Sequence, residues 1–419
     1  MKFKHGLVTA GCLAAMGLAG TAQAVQIAGE LLEVYGNFYP QYQITSFGDA
    51  STGELSTMTA GKNIPGVGTG VGLATTVSKT QVNWVNSYLG FKGQKAFGDI
   101  KAGYDFQGVV MKNGSLPTET DSIGEARDAF VYIAHKKLGT LQMGQMDTIY
   151  KEFGDRVRLL GTSSGNFTST SSMVSGVTWK GATGAGTTSF NTRINGQLRW
   201  ISPNWSGVEV GVSLRPDPIK TATTDASLYA FGARWSNAKY YVGLAQEVHN
   251  DYRTVSGTNA ADIAGTGATS TIYSVGANTR SKDTATRLSV GYTAEKFRLG
   301  ADVSSLKYTE DATIANNFTS YETTGWQVTG EYTVNPQVTV GANYGQNAAG
   351  SCSLLGGSTC STNGLGGSMM SLGARYDYDK NIGFFALYGQ SMVNSGAVLA
   401  SGNIGGNVTN VALGLQVKF

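Results

Sequence analysis

The stretch Asn407-Val408-Thr409-Asn410-Val411-Ala412-Leu413-Gly414-Leu415-Gln416-Val417-Lys418-Phe419 decides how the chain is read. From Val411 on, the odd positions are Val, Leu, Leu, Val and Phe; the even positions between them are Ala412, Gly414, Gln416 and Lys418. Successive side chains of a strand point to opposite faces, so this is a strand with one apolar face and one small or polar face. Its length, about ten residues, suits a tilted strand crossing a bilayer. A soluble domain can also end on such a strand. The reading gains force because the pattern recurs along the chain.

The segment Arg193 to Trp200 sets which face is which. Arg193, Asn195, Gln197 and Arg199 alternate with Ile194, Leu198 and Trp200. Turning this strand over would place both arginines in hydrocarbon, at roughly 2–4 kcal/mol each near the midplane. The arginine face therefore looks into water or protein. Comparable segments begin near Leu32, Tyr88, Ile100, Arg127, Thr140, Val208, Leu228, Lys239, Thr286, Phe297, Gly325, Val338, Met369 and Gly383. Pro40, which lacks an N–H, belongs at a bulge or strand end. Short connections at Asn237, Glu295, Asn335-Pro336 and Asp379-Lys380 alternate with long ones, among them 46–80, 145–191, 249–284, 308–322, 346–367 and 391–406. The expected fold class is all-β: a transmembrane antiparallel barrel of about sixteen strands with long external loops. Closure removes the sheet edges that lipid would not tolerate.

Composition agrees. Of 419 residues only 14% are charged, 58 are Gly, 20 are Tyr and 7 are Pro, whereas a soluble chain carries about 25% charged residues. The many aromatics disfavour disorder. The formal charge is +3, and Lys2 and Lys4 belong to a leader, so acids and bases nearly balance and no nucleic-acid face is indicated. The leader is Met1 to Ala24: a basic start, an apolar run from Leu7 to Gly20, and Ala22-Gln23-Ala24 as a small-x-small cleavage site. Residues 25–419 then form one barrel domain. Cys352 and Cys360, in an exported chain, are expected to form a disulfide that closes a small loop. Two Cys without a His cluster make a poor zinc site, and neither a metal nor another cofactor is expected.

The chain resembles the Gram-negative general porins, the trimeric sixteen-stranded type. The residues that carry the likeness are Tyr88-Leu89-Gly90-Phe91-Lys92-Gly93, Arg127 to Ile133 followed by Leu138 to Gln145, Arg199-Trp200-Ile201-Ser202-Pro203, and Phe419. The resemblance implies a homotrimer in the outer membrane, surrounded by its lipid and lipopolysaccharide, with both termini in the periplasm. It implies that the third loop, 145–191, folds into the lumen and narrows it. It also implies that Phe419 is part of the signal read by the barrel-insertion machinery. Two features depart from the family. Gln145 stands where Arg is frequent, and the loop is mixed in charge rather than acidic.

The residues expected at the constriction are Lys151, Glu152, Asp155, Arg156 and Arg158. They are expected to face the pore-wall residues Lys92, Lys101 and Arg127, with Arg193 and Arg199 also on the wall. Opposed charges across a narrow gap make a transverse field that orders water and orients polar solutes. The inward arginines Arg193, Arg199, Arg234, Arg287, Arg298 and Arg375 could make an anion-friendly wall, or could simply pair with Glu209, Glu247, Asp302 and Glu331. Gly161-Thr162-Ser163-Ser164-Gly165 has the form of a nucleophile elbow but lacks the strand before it and the helix after it. The Gly-rich run 66–72 lacks the Lys-Ser/Thr of a phosphate loop. The expected function is passive diffusion of small hydrophilic solutes and ions, with no enzymatic activity. The alternatives are a solute-specific channel and a structural or receptor barrel.

Overall fold

A computed structural model describes residues 25–48, 78–85, 87–110, 126–162, 167–175, 190–218, 220–222, 225–251, 280–313, 318–357, 367–399 and 402–419. The expected leader 1–24, the run 66–72, Ser163 to Gly165 and Cys360 lie outside these residues. The barrel strands are β1 (Glu33–Phe38, resumed at Pro40–Gly48), β2 (Ser78–Trp84, resumed at Tyr88–Phe97), β3 (Ile100–Val109) and β4 (Ala126–His135). Next come β5 (Gly139–Asp147), β6 (Arg193–Ile201), β7 (Val208–Arg215), β8 (Leu228–Ser236), β9 (Tyr240–Asn250) and β10 (Ser281–Thr293). The last six are β11 (Phe297–Glu310), β12 (Phe318–Asn335), β13 (Val338–Asn347), β14 (Gly367–Asp377), β15 (Ile382–Leu399) and β16 (Gly402–Lys418).

Each strand pairs antiparallel with its neighbour in the chain, and β16 pairs with both β15 and β1, so sixteen strands close a ring. Two short strands lie beside the ring: Val25–Gln26 on β1, and Ser351–Leu354 on β12. No helix among the described residues is long and apolar enough to cross a membrane; the strands do so.

The alternation read from sequence appears as exposure. Phe91, Phe106, Val131, Ile133, Leu141, Val212, Leu244, Leu288, Val303, Val328, Leu372 and Leu413 all face outward. Between them, inward positions such as Gln43, Arg199, Ser213, Arg287 and Ser304 are buried. The short turns form for a local reason. Asn237 Oδ1 accepts the backbone N–H groups of Lys239 and Tyr240, Asn335 Oδ1 those of Gln337 and Val338, and Asp379 Oδ1 those of Asn381 and Ile382. The side chain thereby mimics a backbone turn. Aromatics gather at this rim: Tyr240 against Tyr292 at 5.4 Å and Phe297 against Tyr332 at 4.8 Å. Trp235 and Tyr376 are exposed there, and Trp200 donates its indole N–H to the Leu138 carbonyl, as an interfacial girdle requires.

Pro40 stands where β1 resumes after the break at Tyr39. Three strand limits differ from the sequence reading. β5 runs on to Asp147, so the third loop is 148–192. The stretch 391–406, expected as a loop, is mostly a hairpin extension of β15 and β16. The stretch 308–322 is shortened because β11 reaches Glu310 and β12 starts at Phe318.

One facing assignment is corrected. The β5–β6 register slips between Gly144 and Met146, which pair with Gln197 and Ile194, so β6 carries one extra residue. Gly196, at φ 68°, supplies the left-handed conformation this needs. As a result Ile194, expected outside, turns inward against Leu228, while Asn195, expected inside, is exposed.

Candidate functional site

The third loop lies inside the barrel because its sequence is apolar where the wall is empty. Ile149, Tyr150, Phe153, Val157, Leu159, Leu160 and Phe167 are all buried. Burying such side chains stabilises by about 1.5–3 kcal/mol each. The inner wall receives them at glycines. A Cβ on Gly211 of β7 would sit 2.5 Å from Ile149 Cδ1, and one on Gly243 of β9 2.7 Å from the Phe153 carbonyl oxygen. Farther round, Gly291 of β10 meets Arg156, Gly300 of β11 meets Val157, Gly341 of β13 meets Leu159, Gly373 of β14 meets Leu160 and Gly389 of β15 meets Phe167. Successive loop residues therefore meet successive strands. Neighbouring strands stand about 4.8 Å apart, so β9 to β14 spans about 24 Å. Seven extended residues reach about the same distance, which is the step from Phe153 to Leu160. The described residues of the loop form a hoop laid along the inner wall from β7 to β15. Its far end also touches β1, where the Tyr39 hydroxyl donates to the Gly161 carbonyl at 3.0 Å.

Charges fasten the hoop. Lys151 Nζ is 3.0 Å from Asp147, and Glu152 lies 3.2 Å from Arg199 and 3.7 Å from Arg234. Asp155 lies 2.7 Å from the guanidinium of Arg287, which also meets Asp302 at 2.9 Å and donates to Asn191 at 2.7 Å. The Leu160 N–H donates to Glu331, and Arg375 donates to the Leu160 carbonyl. Burial pushes the Asp155 carboxyl up; Arg287 and then Arg158, with hydrogen bonds from Arg287 and Gln327, outweigh it and bring the pKa down to about 2. Burial draws the Lys151 ammonium down against the opposing pull of Asp147. Burial likewise lowers Arg156, whose guanidinium lies 5.1 Å over the Tyr241 ring.

Among the described residues, no carboxylate lies within ion-pair distance of Arg156 or Arg158, and Arg158 is exposed. Among the described residues the loop thus has both its carboxylates, Glu152 and Asp155, paired, and two guanidiniums without a carboxylate.

The expected wall residues sort differently. Arg199 meets the loop, as just described. Arg193 sits where the loop departs, paired with Asp128 at 2.6 Å and Asp147 at 3.4 Å. Lys92 is taken by Glu33 at 2.9 Å and lies over Tyr35, and Arg127 lies over Tyr88 at 4.8 Å. Lys101 stands beside the turn that joins Phe97 to Ile100, near the rim. Lys92, Lys101 and Arg127 therefore stand on the arc of β2–β4, and among the described residues the loop's carboxylates pair with Arg199, Arg234 and Arg287 instead. The β3–β4 register slips at Phe106–Gly108, with Arg127 and Asp128 as the extra step; Arg127 meets Tyr88 and Asp128 meets Arg193. The other arginines pair as the simpler reading expects: Arg234 with Glu209, Arg287 with Asp302 and Arg298 with Glu331. Glu247 instead meets His249 at 2.8 Å. Sequence reasoning missed the glycine seats, Tyr39 and the Leu160 clamp. Glycines recurring at inward positions of β7 to β15 were the available signal.

Residues 9–397 match the family described as Gram-negative porin. The chain belongs to that family. No curated protein sequence gives a match. Among solved structures, the barrel of this porin is similar to the anion-selective porin from Comamonas acidovorans, with TM-score 0.61, 14% identity and coverage of 93% of this chain and 99% of the other. It is similar to Salmonella typhi OmpF, solved in complex with daunomycin, with TM-score 0.60, 14% identity and coverage of 94% and 100%. OmpT of Vibrio cholerae gives TM-score 0.57 at 10% identity, covering 95% and 100%. At these identities the likeness concerns the fold. This porin is a multi-pass outer-membrane barrel through which small hydrophilic solutes and ions diffuse passively.

Proposed function

We propose that the hoop 148–192 is this porin's constriction and that the opening it leaves favours anions. The observation that carries the reading is the charge left over on the loop. Lys151, Glu152 and Asp155 are held in ion pairs, whereas Arg156 and Arg158 have no carboxylate partner among the described residues. An exposed guanidinium such as that of Arg158, backed by the half-buried Arg156, attracts counter-ions in a narrow passage and lowers the entry barrier for anions. The name of the Comamonas porin supports the same direction.

Other parts of the reading are proposals of the same standing. Homotrimer assembly is supported by the family and by the trimer form in which OmpT is known. Ala24 is the cleavage site of the leader. Cys352 is buried and disulfide-bonded, and Cys360 is its proposed partner. Phe419, which packs on Phe38 at 5.6 Å, is the proposed signal to the insertion machinery. Outer-membrane lipid and lipopolysaccharide surround the exposed apolar belt. The family and fold point to a channel, and no enzymatic activity is proposed.

The test is the zero-current potential across a bilayer in a potassium chloride gradient. The wild type is expected to be chloride-selective, and the double variant Arg156→Glu, Arg158→Glu is expected to lose or invert that preference. An unchanged potential and conductance would remove the pair from the constriction.

A further inference from the structure

Charge is not spread evenly along the lumen. On the long-loop side of the hoop the inward side chains are covered: Gln43, Asn83, Ser304, Ser371 and Asn410 are each no more than 2% exposed. On the short-turn side the wall is open and basic. One inward position beyond the seats Gly300 and Gly373 stand Arg298 and Arg375, with side chains 31% and 22% exposed. Lys418, at the end of β16, shares the inward face with Asn410, Ala412 and Gln416 but is only half-buried. Arg156 leaves the hoop toward the same side, its guanidinium lying over Tyr241 near the start of β9. Four bases therefore line the vestibule below the hoop on the arc β9 to β16. Two inward carboxylates oppose them, and both are taken. Glu331 receives the Leu160 N–H and lies 3.0 Å from Arg298, and Asp377 lies 3.0 Å from Arg375. Among the described residues neither Arg156 nor Lys418 has a carboxylate within ion-pair distance. Register sets the spacing. Arg298 pairs with Glu331, Glu331 with Gly341 and Gly341 with Gly373. Three strand spacings, about 14 Å, thus separate β11 from β14. Lys418 stands two strands farther on. An anion of single charge meets one base at a time. An anion with several charges feels the whole row, held in a confined space that focuses its field. A cation finds no carboxylate without a partner there, and an apolar solute would desolvate the bases.

We propose that the vestibule between the hoop and the short turns is a docking site for small multivalent anions, which are held on that side of the constriction. The inference rests on the hoop being the constriction and adds to that reading a preference for valence and a side.

The experiment is block of the chloride current through single purified channels by citrate and, separately, acetate, each added to one chamber at a time at neutral pH. Citrate is expected to half-block from one chamber at a concentration at least tenfold below that needed from the other, and at least tenfold below that of acetate. Arg298→Gln and, separately, Lys418→Gln are expected to raise the lower value about fivefold. Both residues stand on the short-turn side, so their effect identifies the chamber. The second variant keeps the test alive should the first disturb the Glu331 contact with the loop. Equal block from the two chambers, or block no better than that of acetate, overturns the site. Block that ignores both variants and vanishes in Arg158→Gln places the anion at the hoop itself, which also overturns the site and leaves the constriction standing. Failure of the constriction reading shows separately, as a zero-current potential that ignores Arg156 and Arg158.

Discussion

Arg287 is the fastening most open to a quantitative test. Its guanidinium is buried, 1% exposed, and bridges Asp155 on the loop to Asp302 on the wall while also donating to Asn191. Arg287→Met keeps the volume but leaves two carboxylates buried side by side. Removing one partner of a buried ion pair costs about 3–5 kcal/mol. That weakens the seating of the 153–157 segment by about a hundredfold to a few thousandfold. The seats at Gly211 and Gly373 and the Glu152 pairs are untouched, so the barrel should fold and the loop should be loosened in its middle. Single-channel recordings are expected to show higher mean conductance and added open-channel noise. Adding Asp155→Asn should recover part of the wild-type behaviour, because Asp302 alone still receives hydrogen bonds from Ser289 and Gln327. Wild-type conductance and noise in Arg287→Met would refute the anchoring argument, and so would a double variant worse than the single one.

Three further outcomes are expected. Gly300→Val should force Val157, 3.0 Å from the position of the new Cβ, off the wall and raise conductance, whereas Gly330→Val, whose Cβ would meet only the Leu299 side chain at 3.2 Å, should not. Acid should loosen the loop in a defined window. The Asp155 pKa is depressed from 3.8 to about 2, so its contribution, about 2 kcal/mol, is complete above pH 3.8 and is lost as pH falls toward 2. Open-channel noise should rise across that window in the wild type and less so in Asp155→Asn. Reduction of the Cys352 disulfide should lower thermal stability by about 2–4 kcal/mol or less and leave the zero-current potential unchanged, as measured by melting in detergent and by bilayer recording.

The sequence made the barrel readable because lipid enforces one residue type on every second position. Asn237, Asn335 and Asp379 announced the short turns by the same local chemistry that the structure shows. Four things were not readable. A bulge inverts facing from its own position onward, and Asn195-Gly196 looks like ordinary small inward residues until Gly196 takes a positive φ. The seating of the loop depends on which glycines of seven separate strands stand at one height, which is set by register and not by any local pattern. The same reason explains the partners of the loop. Asp155 and Arg287 are 132 positions apart in the chain, and no spacing rule joins them. The extension of β15 and β16 was hidden because Asn, Ser and Gly between 394 and 407 read equally well as a polar loop.

The most direct measurement is a planar-bilayer recording of the purified porin, alone and with Arg158→Glu. The hoop-lined channel predicts stable, ohmic steps of current and a shift of the zero-current potential toward cations on substitution. A barrel that stays silent, or steps whose ion preference ignores Arg158, would contradict it.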